Sequence, residues 1–439
     1  MESGGGEGRP PFGEEDPPSE EAPVFKEGSV YDTGEAPSPP SPPETGDELV
    51  PRPQPQPVPA RRRPSPHGRR HRDLPAAVRR RQAIAVVVIA LVVVIGIIAL
   101  LSGGGGSSSS SPSQVPLAKL VGQTVVGKLA KSGPDKNLLK RVREGQIGGV
   151  VAFPGSAKAL KTQVDKLQQA ASDGGNPPLM IAIDQEGGPV KRLPGPPTVS
   201  PAELGKSDDT GAAKDQGQKT AEYLSSFGVN VDLAPVADVS HAGTPATLKA
   251  RTFGSDPAKV ADLVTAFSDG LKAGGNAATV KHFPGLGLAS GNTDTAPVTI
   301  PAGRPIIETD EAPFSAAVDA GVPMVMMSTA KYPGLGSKDP AAWSQPIIHD
   351  DLRGRLSFTG VVITDDLEGA AAADVLPPEK AAVRSLVAGA DMVMFATGVG
   401  TSQGAYQSLL KAAEKGTISR SQLEASYGRI KDLKDTFTN

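Results

Sequence analysis

GVVITDDLEGA, residues 360–370, is a short apolar run that ends directly in two carboxylates, followed by a glycine four residues after the first. Three other places in the chain do the same. Residues 179–183 run into DQEGG (184–188), residues 229–233 lead through APV to Asp238, and residues 277–280 end at KHFPG (281–285). Such runs read as strands, and they alternate with amphipathic stretches that read as helices. Strands are expected at 147–153, 179–183, 229–233, 277–280, 324–328, 361–364 and 392–395. Helices are expected at 159–171, 212–227, 258–273, 313–320, 379–388 and 406–415. That makes seven strands; an eighth, sought between His282 and Met324, has no clear pattern. Alternating strands and helices predict an α/β fold. The 325 residues of 115–439 suit a TIM-like (β/α)8 barrel of about 250 residues with extensions, and a doubly wound sheet is the alternative.

In a barrel the carboxyl ends of the strands converge on one face, so carboxylates far apart in sequence can surround one ligand. Each strand ending also has a plainer reading. Asp184 or Asp238 can cap the following helix, Lys281 and His282 can close a salt bridge or satisfy a loop carbonyl, and Asp365–Asp366 can be one cap and one solvated side chain. Four such endings in one domain favour an enzyme site. The glycine pairs at 187–188 and 285/287 belong to no Gly-x-x-x-x-Gly-Lys-Ser/Thr run, so they read as tight turns rather than phosphate loops.

Composition narrows the chemistry. The chain has no cysteine, which excludes disulfides, thiolate catalysis, iron–sulfur clusters and Cys-ligated zinc. Its five histidines lack a His-Glu-x-x-His spacing, so no metal is expected, and no organic cofactor is indicated. Aromatics are 4% and the formal net charge is −3, a poor basis for nucleic-acid binding. That average hides opposing blocks. Residues 1–60 hold 15 prolines and 13 Asp/Glu against 3 Lys/Arg, the composition of a disordered tail. Residues 61–81 hold nine arginines against one aspartate.

Residues 83–101, AIAVVVIALVVVIGIIALL, carry no polar side chain, and 19 helical residues span roughly 28 Å, near the roughly 30 Å of a hydrocarbon core. The expectation is one transmembrane helix acting as an uncleaved signal-anchor. The arginines before it place the N-terminus in the cytoplasm and the C-terminal domain outside the cell membrane. Residues 102–114 read as a Gly/Ser linker. The expected domains are thus 1–82, 83–101, 102–114 and 115–439, with the membrane as one partner and the tail's protein partners left open.

Five segments together resemble glycoside hydrolase family 3: IDQEGGPVKRL (183–193), NVDLAPVADV (230–239), RTFGSDP (251–257), VKHFPGLG (280–287) and GVVITDDLEGA (360–370). The branch they resemble is the single-domain bacterial β-N-acetylhexosaminidases. The resemblance implies the TIM-like barrel and retaining hydrolysis of a β-linked glycoside through a covalent glycosyl-enzyme. It places the nucleophile at Asp365 and the sugar-binding groups at Asp184, Arg251, Lys281 and His282. The expected partner is a carbohydrate, with N-acetylglucosamine from peptidoglycan fragments as a candidate.

The proton donor departs from that pattern. The N-acetylglucosaminidase branch carries Asp-Ser-His in the loop after Lys-His-Phe-Pro-Gly-His-Gly, its His being the acid/base. Here Leu286 replaces the motif His, and Asn292, Thr293 and Asp294 occupy the triplet. Pro189 also stands where Arg is common. Three alternatives follow: Asp294 is itself the acid/base, Glu186 or Glu368 donates the proton, or the pocket binds sugar with little or no turnover. The last would make the chain a carbohydrate-binding or envelope-interaction protein on the same barrel.

Overall fold

The computed structural model describes residues 114–437. Eight parallel strands close into a barrel: β1 (Val125–Leu129), β2 (Gly149–Ala152), β3 (Met180–Ile183), β4 (Val231–Asp232), β5 (Ala277–Phe283), β6 (Met324–Met327), β7 (Val361–Asp366) and β8 (Met392–Met394). Each pairs with its neighbours in sequence, and β8 closes onto β1 through Val125–Val393 and Val126–Met394. The helices that cover the strands are α1 (Lys136–Arg143), α2 (Ala157–Asp173), α3 (Thr210–Ser225), α4 (Pro257–Ala273), α5 (Ala312–Asp319), α6 (Pro346–Arg355, a π-helix), α7 (Pro378–Ala388) and α8 (Thr401–Glu414), with α9 (Arg420–Phe437) last. This is the (β/α)8 barrel, and the doubly wound alternative falls.

Local chemistry sets the helix starts. Asp135, Ser156, Asp209 and Asp256 each accept a hydrogen bond from a backbone N–H of the first turn, satisfying donors that the helix cannot. Gly389, at φ 111°, ends α7 in the left-handed region, which suits glycine. Two apolar clusters follow from the period-2 alternation of the strands. Ile181, Ile183, Val325 and Val362 face outward to the helices. Val126, Val151, Met180, Ala182, Met324, Met326, Val361, Ile363 and Met392 fill the barrel interior, joined by Ile430 and Leu433 of α9.

The seven expected strands are all present; the eighth is not where it was sought. Residues 284–303 are a loop, followed by the helix Arg304–Asp310 and α5. The missing strand is β1, hidden at the sequence level because Gly127 interrupts its apolar run and Lys128 follows. A Cβ on Gly127 would come within 2.8 Å of Ser402 Oγ and 2.9 Å of Ile147 Cδ1, so close packing against α8 explains the glycine.

The expected membrane span requires correction. Among the described residues no helix is long and apolar enough to cross a membrane. The longest, α9, has 18 residues and carries Arg429, Lys431, Asp432, Lys434 and Asp435 in its second half, too many charges for a hydrocarbon core. The segment 83–101 lies outside the described residues, as do the expected acidic tail, arginine block and most of the linker. The single-pass signal-anchor, the membrane as partner and the cytoplasmic N-terminus are therefore not carried forward, and the function below rests on the barrel alone.

Candidate active site

The alternation that fills the barrel also builds its mouth. On β7, Val361 and Ile363 point inward, and Asp365 is the next position on that face. On β3 the series Met180, Ala182 leads to Asp184, and on β5 the series Ala277, Thr279 leads to Lys281. These are the carboxyl ends of parallel strands, where barrel active sites lie. A cavity of about 860 Å³ opens there, and Asp184, Arg251, Lys281, His282, Asp294 and Asp365 all line it. The structure brings together every site residue expected from the sequence.

A buried ion network occupies one side. Lys281, only 2% exposed, places Nζ 2.9 Å from Asp184 Oδ1 and 2.6 Å from Glu186 Oε1. Arg251 donates to both oxygens of Glu186, at 2.8 and 2.7 Å, and Arg192 donates to Asp184 Oδ2 at 3.2 Å. Burial by itself would raise the Asp184 carboxyl, but Lys281 and Arg192 outweigh it and hold it at about 2. Glu186 is likewise lowered, its burial overcome by Lys281 and Arg251. Both are ionised acceptors at neutral pH. Glu186 therefore fails as proton donor; its part is to fix Arg251 and Lys281.

His282 is held by Asp238. Its Nδ1 lies 2.8 Å from Asp238 Oδ2, and its backbone N–H and that of Leu286 both donate to Oδ1, at 3.1 and 2.7 Å. Asp238 thus positions the imidazole and pins the loop after β5. Gly287 continues the same constraint: a Cβ there would lie 1.7 Å from the Val239 carbonyl oxygen, so only glycine fits.

The two carboxylates after β7 divide their work. Asp366 accepts from the backbone N–H of Ala396 and Glu368 and from the Thr397 hydroxyl, tying β7 to the loop after β8. Glu368 accepts from the N–H groups of Thr397 and Gly398, so it too is a loop clamp rather than a proton donor. Asp365 Oδ1 accepts from the Asp366 N–H at 2.8 Å, while Oδ2 has no protein partner among the described residues. Burial raises the Asp365 carboxyl above its ordinary range, with His282 pulling it down and Asp294 pushing it up. The exposed Asp294 sits on a loop tethered to the Asp365 loop: Ala370 N–H donates to the Asp294 carbonyl at 3.2 Å and Ala371 N–H to that of Thr293 at 2.9 Å. Asn292 Oδ1 accepts from the Asp294 N–H at 3.0 Å, capping the turn.

Sequence reasoning gave no role to Arg192, which the motif at 183–193 already contained, nor to Asp232. Asp232 is fully buried on the outward face of β4; its Oδ1 accepts from Gln185 N–H at 3.0 Å and its Oδ2 has no partner among the described residues. Burial pushes its carboxyl up to about 8. A carboxyl raised on folding is protonated in the native state while the unfolded chain has already ionised, so stability falls as pH climbs from about 4 to about 8. Asp232→Asn, which cannot ionise, is expected to lose less stability than wild type over that interval in melts at pH 5 and pH 8. Parallel losses in both proteins would show that Asp232 does not titrate there.

Known proteins resemble this chain in sequence and fold. The model of the glycosyl hydrolase family 3 N-terminal domain matches residues 119–433. An uncharacterised secreted glycosyl hydrolase of Arthroderma benhamiae is 34% identical over 331 residues, covering 73% of this chain and 94% of that protein. The β-hexosaminidase LpqI of Mycobacterium tuberculosis is 31% identical over 297 residues, covering 66% of this chain and 76% of that protein. Among solved structures, a family 3 β-N-acetylglucosaminidase from Paenibacillus sp. str. FPU-7 superposes with a TM-score of 0.70 at 32% identity, over 73% of this chain and 62% of that one. A match running through all eight strands and every residue of the mouth leaves one assignment: the chain belongs to glycosyl hydrolase family 3.

Proposed function

We propose that the cavity hydrolyses a β-N-acetylglucosaminide-type substrate with retention, Asp365 acting as nucleophile and Asp294 as acid/base. Glycosidase activity is the property of the family to which the chain belongs; the Mycobacterium relative is named a β-hexosaminidase and the Paenibacillus relative a β-N-acetylglucosaminidase, which supports the N-acetylglucosaminide-type substrate. The observation that carries the residue roles is the free Oδ2 of Asp365 at the top of the barrel interior, beside a loop that brings a second carboxylate to it. Such a pair of carboxylates is the usual machinery of retaining glycosidases. Asp294 gives its proton to the leaving oxygen as the C–O bond breaks and Asp365 forms an ester with the anomeric carbon. Water then attacks that carbon, Asp294 takes its proton, and the bond to Asp365 breaks. Lys281, Asp184 and Arg251 offer charged hydrogen bonds to the sugar hydroxyls, and the His282 ring a further polar contact.

Leaving-group dependence tests the donor. With aryl β-N-acetylglucosaminides, Asp294→Ala is expected to slow poor leaving groups by about 10²- to 10⁴-fold and good leaving groups much less, since the latter depart without protonation. Equal rates for wild type and Asp294→Ala on both kinds of leaving group would remove Asp294 from the mechanism. Sugar binding without turnover by wild type, across a broad panel of aryl glycosides, would instead favour a binding protein on this barrel.

A further inference from the structure

The loop that carries Asp294 is anchored at both ends. At its far end the carbonyls of Thr293 and Asp294 accept from the N–H groups of Ala371 and Ala370, in the loop after β7. At its near end, just after β5, the Thr244 hydroxyl donates to the Gly287 carbonyl. Of the residues between, 288–292, only Ala289 is buried. The Asp294 carboxylate accepts no hydrogen bond from the described residues, so its place at the cavity is set by the backbone that carries it.

The near anchor is firmly built. Thr244 Oγ accepts from the His241 N–H at 2.7 Å, and its single hydrogen is left for Gly287. The Thr244 N–H closes the same turn onto the His241 carbonyl at 3.2 Å. The turn is held from outside as well: His241 Nε2 lies 2.8 Å from Asp310 Oδ2 on the helix Arg304–Asp310. The Ser240 N–H and hydroxyl both donate to the Gly254 carbonyl, at 2.8 and 2.9 Å. Two other side chains grip this strip. Asp238 accepts from the Leu286 N–H but also orients His282, and Tyr332 donates to the Gly285 carbonyl but belongs to the core. Thr244 is buried, does not line the cavity and touches no other site residue, so its hydroxyl acts on the loop alone.

We infer that Thr244 is a positioning residue for the acid/base: its hydroxyl fixes Gly287, and through the loop 288–294 it holds Asp294 within reach of the leaving oxygen. Proton transfer requires hydrogen-bond reach in the reacting complex, and a displacement of about 1 Å costs on the order of 10²-fold in rate. The nucleophile does not depend on this bond, because Asp365 continues β7 and Asp294 alone stands on the tethered loop. Loss of the tether therefore weakens protonation of the leaving group and spares attack on the anomeric carbon. This deepens the function proposed above and rests on its assignment of Asp294.

Thr244→Val keeps the shape of the side chain and removes the hydroxyl, whereas Thr244→Ser keeps the hydroxyl. On aryl β-N-acetylglucosaminides with poor leaving groups, Thr244→Val is expected to lose about 10- to 100-fold in kcat. With good leaving groups it stays within about threefold of wild type, since these depart without protonation. Thr244→Ser restores the wild-type pattern. Adding Thr244→Val to Asp294→Ala costs nothing more, because the tether acts through a group already gone. Hydrogen exchange gives a reading that needs no turnover: peptides covering 286–296 should exchange about tenfold faster in Thr244→Val, with β4 and β5 unchanged. Should valine prevent folding, Thr244→Ala carries the same expectations. Equal losses on good and poor leaving groups overturn the inference, as do an additive double variant, a serine variant as slow as valine, or unchanged exchange. The two readings fail separately. If Asp294→Ala shows no leaving-group dependence, the acid/base assignment falls on that result, while exchange still decides whether Thr244 holds the loop. If Asp294→Ala behaves as expected and Thr244→Val matches wild type, only the inference falls.

Discussion

Asp365→Ala is expected to lose about 10⁴-fold or more in kcat on aryl β-N-acetylglucosaminides while melting close to wild type. The size follows from the role: without a nucleophile, water must attack an anomeric carbon that no carboxylate stabilises, and groups that work as one unit fail together when one is removed. The fold is spared because Asp365 gives the structure little beyond one bond from the Asp366 N–H. The loops around it are held by Asp366 and Glu368 instead. The pH profile supplies a second reading. A nucleophile must be ionised, and burial with Asp294 nearby holds this carboxyl above its usual range against the pull of His282. Activity is therefore expected to rise with pH through a limb lying above that of an ordinary aspartate. Residual activity within tenfold of wild type would remove Asp365 from the covalent step.

What the sequence made legible was the repeat, because each strand carries its own apolar run and the period-2 face ends in the functional side chain. Asp184, Lys281 and Asp365 are visible for that reason. β1 was not, since the demand of α8 for a glycine at 127 broke the run that marks a strand. Asp238, Glu186 and Glu368 show the other limit. Their residue types fit caps, acids and bases equally well, and only partners distant in sequence decide. Asp238 meets His282 44 residues away, Glu186 meets Arg251 65 residues away, and Glu368 meets Gly398 30 residues away.

The division of labour between these groups is physical. Carboxylates with several donors (Asp366, Glu368, Asp238) hold loops, whereas Asp365 at the mouth keeps one oxygen free. A buried acceptor satisfied by two or three N–H groups resists movement, which keeps the mouth rigid around Asp365. The loop that carries Asn292, Thr293 and Asp294 is docked through the carbonyls of Thr293 and Asp294 rather than through the side chain of Asp294.

Lys281→Met is expected to damage both stability and activity, and the pH dependence separates this from simple packing loss. Methionine matches the length of the lysine stem but leaves Asp184 and Glu186 facing each other in a buried site. Breaking a buried ion pair by removing one partner costs about 3–5 kcal/mol, because the remaining charge has lost its compensation. Arg192 and Arg251 still answer one carboxylate each, which favours the lower end. The Asp184 carboxyl lies at about 2 in the folded protein against 3.8 for the free group. Its folded value is depressed, so it contributes stability above about pH 4 that is lost as pH falls toward 2, and Glu186 contributes with the same sign. Lys281 is raised instead, so its contribution is complete below its ordinary value of 10.5 and fades only above it. The deficit of Lys281→Met in chemical denaturation should therefore be full between about pH 5 and pH 9 and shrink toward pH 2. Adding Glu186→Gln removes one of the stranded charges, and the double variant should be more stable than the two single losses added together. A deficit that stays constant from pH 7 to pH 2.5, or a double variant that is merely additive, would mean that Lys281 serves the barrel by volume and not by charge.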